Sequence, residues 1–319
     1  MDNSLASFVR LCRRLGSDTL LAQGGGGNVS LKTGSDEMLI TASGGRLAQV
    51  GPRRGWARAD TQKLRQGMAS IGGDRAYAKL LARAGLTRGR RISMEAGFHA
   101  LLPDTCVAHV HSLAGILLGA LPEQTARKKI RRVLGNKIRI YFIPACVPGV
   151  DLSLRIGARR PRGPSLGVLK NHGLVWAAES AAATARLSDK FERALRKVYR
   201  LSRFPPPHTH GPASAGWRTL CFCHWPDCRL DLRPLFPDFV AYFSLWGRGK
   251  PDLVPASPRA VRVFAKDARA LRTKRESLYA QALVSTVARG KIHRLPPRLV
   301  RAVDRLETER LRALQAARL

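Results

Sequence analysis

The segment Cys106-Val107-Ala108-His109-Val110-His111 decides the fold prediction. This short apolar run is typical of a buried strand. Side chains two residues apart on a strand point to the same side, so both imidazoles face one site. Two histidines on one face of a buried strand have a suitable geometry for two ligands of a zinc ion. Such a pair also occurs incidentally, so the interpretation depends on the rest of the chain.

The sequence on either side of this strand alternates between helix and strand patterns. A glycine run at 24–27 precedes the first predicted strand, and residues 51–91 are basic and mostly helical by composition. The predicted strands are 28–32, 38–41, 138–143 and a strand pair within 168–176, and the predicted helices are 4–15, 94–102, 112–121 and 180–201. Strands separated by helices indicate the α/β class.

A third histidine and a carboxylate accompany the first two histidines. His172 follows an apolar strand and precedes a glycine, as an inward-pointing ligand at a tight turn would. Glu95 begins the predicted helix that leads into the strand of His109 and His111. Three histidines with one nearby glutamate are typical of a catalytic zinc site that keeps an open coordination position.

Five motifs give the chain a specific resemblance to the class II aldolase/adducin family, and they occur in the family's order. They are Gly27-Asn28-Val29-Ser30, Ile40-Thr41-Ala42-Ser43-Gly44, Ser93-Met94-Glu95, Ala108-His109-Val110-His111-Ser112 and Lys170-Asn171-His172-Gly173-Leu174. The resemblance is strong over residues 5–200. Beyond them, residues 235–240 and the final helix are similar to the C-terminal extension of longer bacterial members.

The resemblance implies a fold and a division of the chain. Residues 1–203 would form a three-layer α/β/α head with a central, mainly antiparallel sheet. The Pro/Gly-rich composition of residues 204–216 predicts a linker after it. Residues 217–319 would form a smaller α/β extension. Within it we predict strands at 239–243 and 260–264 and helices at 267–288 and 297–316.

The resemblance also implies roles for individual residues. Zn²⁺ would be the cofactor, and Glu95 would be the catalytic acid/base. The implied metal ligands are His109, His111 and His172, and the implied substrate phosphate-binding residues are Asn28, Ser43, Gly44 and Ser93. Small residues allow backbone N–H groups to approach a phosphate.

Two positions stand apart from the family pattern. Met94 replaces a residue that is often serine in the phosphate-binding enzymes, which removes one donor. The family's catalytic tyrosine comes from a neighbouring subunit, and Tyr141 is a candidate for it.

The implied reaction is retro-aldol cleavage of a ketose phosphate or a related hydroxy-carbonyl compound, in carbohydrate metabolism. The family's pentulose-phosphate epimerases resemble this pattern but carry aspartate at the position of Glu95. Dehydratases and decarboxylases of the family keep the glutamate and the three histidines. The alternatives are therefore another reaction of the family (dehydratase, decarboxylase or epimerase) or a non-catalytic, adducin-like binding protein. Adducin-like members lack the histidines, which favours an enzyme. The resemblance also implies a homotetramer.

Charge and hydropathy limit the other function classes. The chain has 56 Lys and Arg against 22 Asp and Glu, a formal charge of +34, which attracts polyanions. The basic residues are spread along the chain, and aromatic residues make up only 6% of it, so a base-stacking platform is not predicted and neither is nucleic-acid binding.

The longest apolar stretch, residues 113–121, is too short to cross a bilayer. Without a signal-peptide pattern, the predicted location is cytoplasmic.

One cysteine-rich segment has spacing close to that of metal ligands. Cys221, Cys223, His224 and Cys228 lie within eight positions of one another but lack the paired C-x2-C knuckles of common zinc folds. Whether they bind a second metal is left open.

Overall fold

A seven-stranded sheet forms the centre of the computed structural model, which describes residues 3–159, 161, 163–210, 217–222, 225, 228, 230–243, 252–265 and 267–306. Its strands are β1 (Asn28–Lys32), β2 (Glu37–Thr41), β3 (Trp56–Asp60), β4 (Cys106–Val110), β5 (Arg139–Ile143), β6 (Ser165–Leu169) and β7 (Gly173–Ala178). Their order is β3-β2-β1-β4-β7-β6-β5. Only β5 and β6 run parallel among these strands. The predicted mainly antiparallel sheet is therefore confirmed.

Helices cover both faces of this sheet. They are α1 (Asn3–Gly16), α2 (Thr61–Ala69), α3 (Asp74–Ala84), α4 (Ala96–Leu101), α5 (Leu113–Gly119), α6 (Glu123–Leu134), α7 (Val150–Gly157) and α8 (Ala181–Tyr199). Strand β4 shows why two helical layers form: Ala108 packs in the core with α1, α5 and α8, whereas Val107 packs with α4 and α7. Because successive strand side chains alternate between faces, a wholly buried strand needs cover on both. The three-layer α/β/α prediction is confirmed.

The other residues that the structure describes form a second, four-stranded antiparallel sheet and three helices. These elements are β8 (His208–His210), β9 (Trp217–Cys221), α9 (Pro237–Tyr242), β10 (Leu253–Ser257), β11 (Ala260–Phe264), α10 (Ala268–Ala288) and α11 (Pro297–Arg305). The strand order is β10-β11-β9-β8. Helix α10 packs against α5, and Leu278 and Leu283 belong to the same hydrophobic cluster as Leu113 and Ile116. Burial of one continuous apolar surface thus holds the extension on the head.

The interior of α10 also fixes the segment that precedes α9. Gln281 is fully buried, and its amide group donates to the carbonyls of Asp231 and Arg233. Its Oε1 accepts from the backbone N–H of Leu235 at 3.1 Å. A buried amide with all these partners positions the backbone without an unsatisfied polar group. The start of α9 is therefore fixed relative to α10.

Some predicted elements differ from the structure. Residues 239–243, predicted as a strand, lie mainly in α9, which has Pro237 in its first turn. A short apolar run fits a buried helix as well as a strand, and proline favours a helix start. The region 51–91, predicted as mostly helical, contains β3, which pairs with β2. Helices α6 and α7 and strands β8, β9 and β10 were not predicted.

The predicted linker at 204–216 and the predicted end of the last helix at 316 both stay predictions. Strand β8 falls inside the predicted linker 204–216 and pairs with β9 of the extension. The predicted final helix is present over Pro297–Arg305, and its remaining residues from 307 on lie outside the described residues. No helix in the described part of the chain is both long and apolar enough to span a membrane.

Candidate active site

Three buried histidines meet at the ends of β4 and β7. His109 lies in β4, His111 directly follows it, and His172 lies in the turn between β6 and β7. Their ring centroids are 4.8, 4.8 and 4.9 Å apart. One nitrogen can be chosen from each ring so that all three lie within 4.8 Å of one another, as ligands of one metal ion would. The three residues predicted as ligands therefore lie together.

Hydrogen bonds on the far side of two rings fix their orientation. Nδ1 of His109 lies 2.9 Å from the carbonyl oxygen of Leu174, and Nδ1 of His111 lies 2.6 Å from Oδ2 of Asp238. When Nδ1–H donates to these acceptors, the Nε2 lone pair is left for a metal ion. Burial lowers the pKa of His109, which favours the neutral imidazole that a metal requires.

Glu95 stands next to the histidines at the N-terminus of α4. Its Oε2 is 3.6 Å from Nε2 of His109, and its Oε1 is 3.9 Å from Nε2 of His172. The side chain is almost completely buried. A carboxylate in this position can act as an acid or base close to a metal-bound substrate.

A chain of hydrogen bonds holds the Glu95 carboxylate in place. The Asn28 amide donates to Oε2 of Glu95 at 2.6 Å, and its own Oδ1 lies 2.5 Å from Nε2 of His99. Nδ1 of His99 is 2.7 Å from the Ser30 hydroxyl. Burial lowers the pKa of His99 well below its usual value, so the ring is neutral and can donate at one nitrogen and accept at the other.

The donor set fits a metal ion. Nε2 of His109 and Oε1 of Glu95 are buried atoms that make no hydrogen bond with any part of the chain that the structure describes. Buried polar atoms are normally satisfied, so two unsatisfied atoms beside the same histidine cluster indicate a missing partner. Three imidazoles and a carboxylate are ligands that Zn²⁺ and related divalent metals accept.

The glycine run before β1 is one of the contacts between the head and the extension. The backbone N–H of Gly24 donates to Glu276 at 2.8 Å, and that of Gly25 donates to the Tyr242 hydroxyl at 2.9 Å. A Cβ at Gly26 would lie 2.5 Å from Oδ2 of Asp238 and would also collide with Nδ1 of His111. The absence of a side chain here lets Asp238 reach the histidine.

The residues predicted to bind a substrate phosphate lie together. Asn28, Ser43, Gly44 and Ser93 line one small pocket with Glu95 and His172. Its volume is about 20 Å³, enough for about one water molecule. The structure thus brings the predicted metal-ligand, acid/base and phosphate-binding residues to one place, while the roles of these residues stay proposals. Asn28 also contacts the glutamate, a contact that the sequence did not indicate.

Other candidate residues are elsewhere. Tyr141 is buried in the core of its own chain, where burial raises its pKa, so it is not exposed to a neighbouring subunit. Of the cysteine-rich segment, Cys221 and Cys228 are partly buried, while Cys223 and His224 lie outside the described residues. Among the described residues, the three histidines are the one group of His, Cys, Asp and Glu side chains that could hold a metal.

Sequence reasoning missed two residues of the site. His99 lies four residues after Glu95, and this spacing on one face of a helix was an available signal. Asp238 is separated from His111 by 127 positions and had no local signal.

Comparisons with known proteins agree with the fold. The family model described as "Class II Aldolase and Adducin N-terminal domain" matches residues 6–199. The N-terminal class II aldolase domain of a conserved protein from Thermoplasma acidophilum is similar at 22% identity with a TM-score of 0.54, over 62% of this chain and 94% of that one. An L-fuculose-1-phosphate aldolase from Thermus thermophilus matches at 18% identity with a TM-score of 0.41, over 63% and 96%. A search of curated proteins gave no match.

Proposed function

Because the chain belongs to the class II aldolase/adducin family, we propose that it is a zinc-dependent lyase that cleaves a ketose phosphate or a related hydroxy-carbonyl compound by a retro-aldol reaction. The observation that carries the proposal is the buried triad of His109, His111 and His172 with Glu95 beside it. A protein that only binds partners would have no need for these buried, unsatisfied metal-ligating atoms. Family membership supports the general class of reaction.

In this proposal the three histidines hold Zn²⁺, which supplies a Lewis acid for the carbonyl and hydroxyl oxygens of the substrate. Glu95 takes and returns the proton at the reacting oxygen or carbon. Asn28 keeps one carboxylate oxygen of Glu95 hydrogen-bonded, so that the other faces the metal centre.

The phosphate would be bound where the small residues meet. Ser43 and Ser93 supply hydroxyl groups, and Gly44 lets the backbone approach closely at a φ of 77°. Asn28 supplies the N–H of its amide that Glu95 does not use. The homotetramer and the cytoplasmic location remain predictions of the same resemblance.

Metal content of the purified protein tests the metal part of the proposal. We expect about one zinc per chain by mass spectrometry and its loss in His111→Ala and His172→Ala. His208→Ala is the matched control, because His208 is exposed in β8. Wild-type protein that stays metal-free after reconstitution with Zn²⁺, Co²⁺ and Mn²⁺ would refute the proposal.

Product analysis tests the reaction. Zinc-loaded protein should release an aldehyde and a smaller ketone from one member of a panel of ketose phosphates. Glu95→Gln should keep its metal and lose turnover by about 10²- to 10⁴-fold. Loss of water, loss of CO₂ or inversion at one carbon, without an aldehyde, would instead assign the chain to another reaction of the family.

A further inference from the structure

A second, wider pocket adjoins the candidate active site. Its volume is about 670 Å³, against about 20 Å³ at the metal centre. Ser43 and Met94 line both pockets, so the two spaces meet at these residues. A typical small-molecule site has about 300–1,000 Å³. The wider pocket is therefore the space with room for the part of a substrate that does not react.

The wider pocket has an apolar and a cationic wall. Helix α3 and the residues after it contribute Leu81 and Leu86, and Leu86 is 48% exposed. The loop at 87–91 contributes Arg88, Arg90 and Arg91, and no acidic residue lines this pocket within the described chain. Such a pair of walls suits a molecule with a carbon chain and an anionic end.

The arginines of this loop have different environments. Arg90 is held in place by the backbone carbonyls of Trp56 and Arg53. Arg88 and Arg91 are exposed and make no ion pair with any described residue. In a pocket without carboxylates, these two cations are available to an oxyanion.

The loop is also fixed relative to the metal centre. The backbone N–H of Ser43 donates to the carbonyl of Arg91 at 2.9 Å, and Ala42 forms a β-bridge with Ile92. These bonds tie the cationic wall to the residue that lines both pockets. The backbone of the cationic wall is therefore fixed relative to Ser43, which lines both pockets.

Met94 separates the two pockets chemically. It is 6% exposed and lines both of them. Its thioether offers an apolar contact to a passing carbon chain and no hydrogen-bond donor. Among the described residues, no Lys or Arg lines the small pocket, whereas three arginines line the wider one.

We infer that the substrate carries a second anionic group, a phosphate or a carboxylate, at the end remote from the reacting carbonyl, and that Arg88 and Arg91 bind this group in the wider pocket. The inference rests on the proposed function, because it assigns the far end of the same substrate. It distinguishes the protein from an enzyme for monophosphates, whose single anion would occupy the small pocket.

Binding of a matched pair of ligands tests this substrate class. Isothermal titration of metal-loaded Glu95→Gln protein at 0.15 M salt would compare D-fructose 1-phosphate with D-fructose 1,6-bisphosphate. We expect the bisphosphate to bind at least about tenfold more tightly, because charge-assisted hydrogen bonds form at its second phosphate.

Arginine variants locate the effect. In Arg88→Gln/Arg91→Gln the ratio of the two affinities should fall to about one, while the monophosphate affinity stays the same. Arg83→Gln is the matched control, since Arg83 is an exposed arginine on α3 that does not line the pocket. A ratio of one in the parent protein, or a ratio that survives loss of both arginines, overturns the inference.

Protection of the arginines from chemical modification separates failure of this inference from failure of the proposed function. Inorganic pyrophosphate should slow phenylglyoxal modification of Arg88 and Arg91, but not of Arg83, in wild-type protein with or without metal. Absence of this protection overturns the inference even when zinc and lyase activity are found. Protection in a chain that binds no metal would leave the anion pocket standing and refute the lyase.

Discussion

Replacement of Asp238 by alanine is expected to weaken metal binding without touching a ligand. Asp238 and His111 are 2% and 4% exposed, and their hydrogen bond of 2.6 Å fixes the ring nitrogen that faces the metal centre. Loss of such an outer partner lowers metal affinity by about 10- to 100-fold. This corresponds to about 1.4 kcal/mol for each factor of ten.

The two available substitutions should differ in size. Asp238→Asn keeps an oxygen that can accept from Nδ1 and loses only the charge, so its effect should be the smaller one. Asp238→Ala also leaves a buried N–H unsatisfied, which costs about 1–3 kcal/mol of folding stability. Metal affinity should therefore fall from wild type to Asp238→Asn and fall further in Asp238→Ala.

Competition with a chelator of known affinity measures the effect, with zinc or cobalt as the ion. Asp252→Asn is the control, because it removes an ion pair with Lys274 elsewhere in the extension. Circular dichroism establishes that each variant is folded. A folded Asp238→Ala protein whose metal affinity stays within a factor of two of wild type would refute the reasoning.

Two further variants probe the surroundings of the site. Gly26→Ala should lose metal and about 1–3 kcal/mol of folding stability, because the new Cβ would collide with His111 and Asp238. Gly34→Ala is the control and should keep both, because a Cβ there meets nothing within 4 Å. Equal thermal midpoints and zinc contents in the two variants would contradict the predicted collision. Burial raises the pKa of Glu192 from 4.5 to about 7, so the folded state favours the protonated acid. The stability that this gives at low pH is lost as the pH rises through about 7. Glu192→Gln should avoid this loss, which is about 3 kcal/mol at most, so its urea midpoint should exceed that of wild type by more at pH 8 than at pH 5; a difference that does not grow would contradict the prediction.

The central strand and its histidines could be predicted because their signals are local. The alternation of strand side chains places His109 and His111 on one face, independently of the tertiary contacts of the strand. The turn at His172 is equally local, between two apolar strands with Gly173 after it. These short-range rules determine where each ligand points.

The extension was harder because its elements depend on distant partners. Residues 237–242 are helical in contact with α10 and α11, although their apolar run also fits a strand. Asp238 gains its role only when this helix packs on the glycine run at 24–27. Tertiary contacts of this kind leave no periodicity in the sequence.

The contact between the glycine run and the extension has a thermodynamic consequence. Because Asp238 joins a metal ligand to α9, ion binding and docking of α9 share one free-energy cycle. The free energy by which docking of α9 strengthens ion binding equals the free energy by which the ion stabilises the docked helix. In the proposed metal site, ion binding would therefore add to the apolar contacts that join the two sheets, through a residue 127 positions from His111 in sequence.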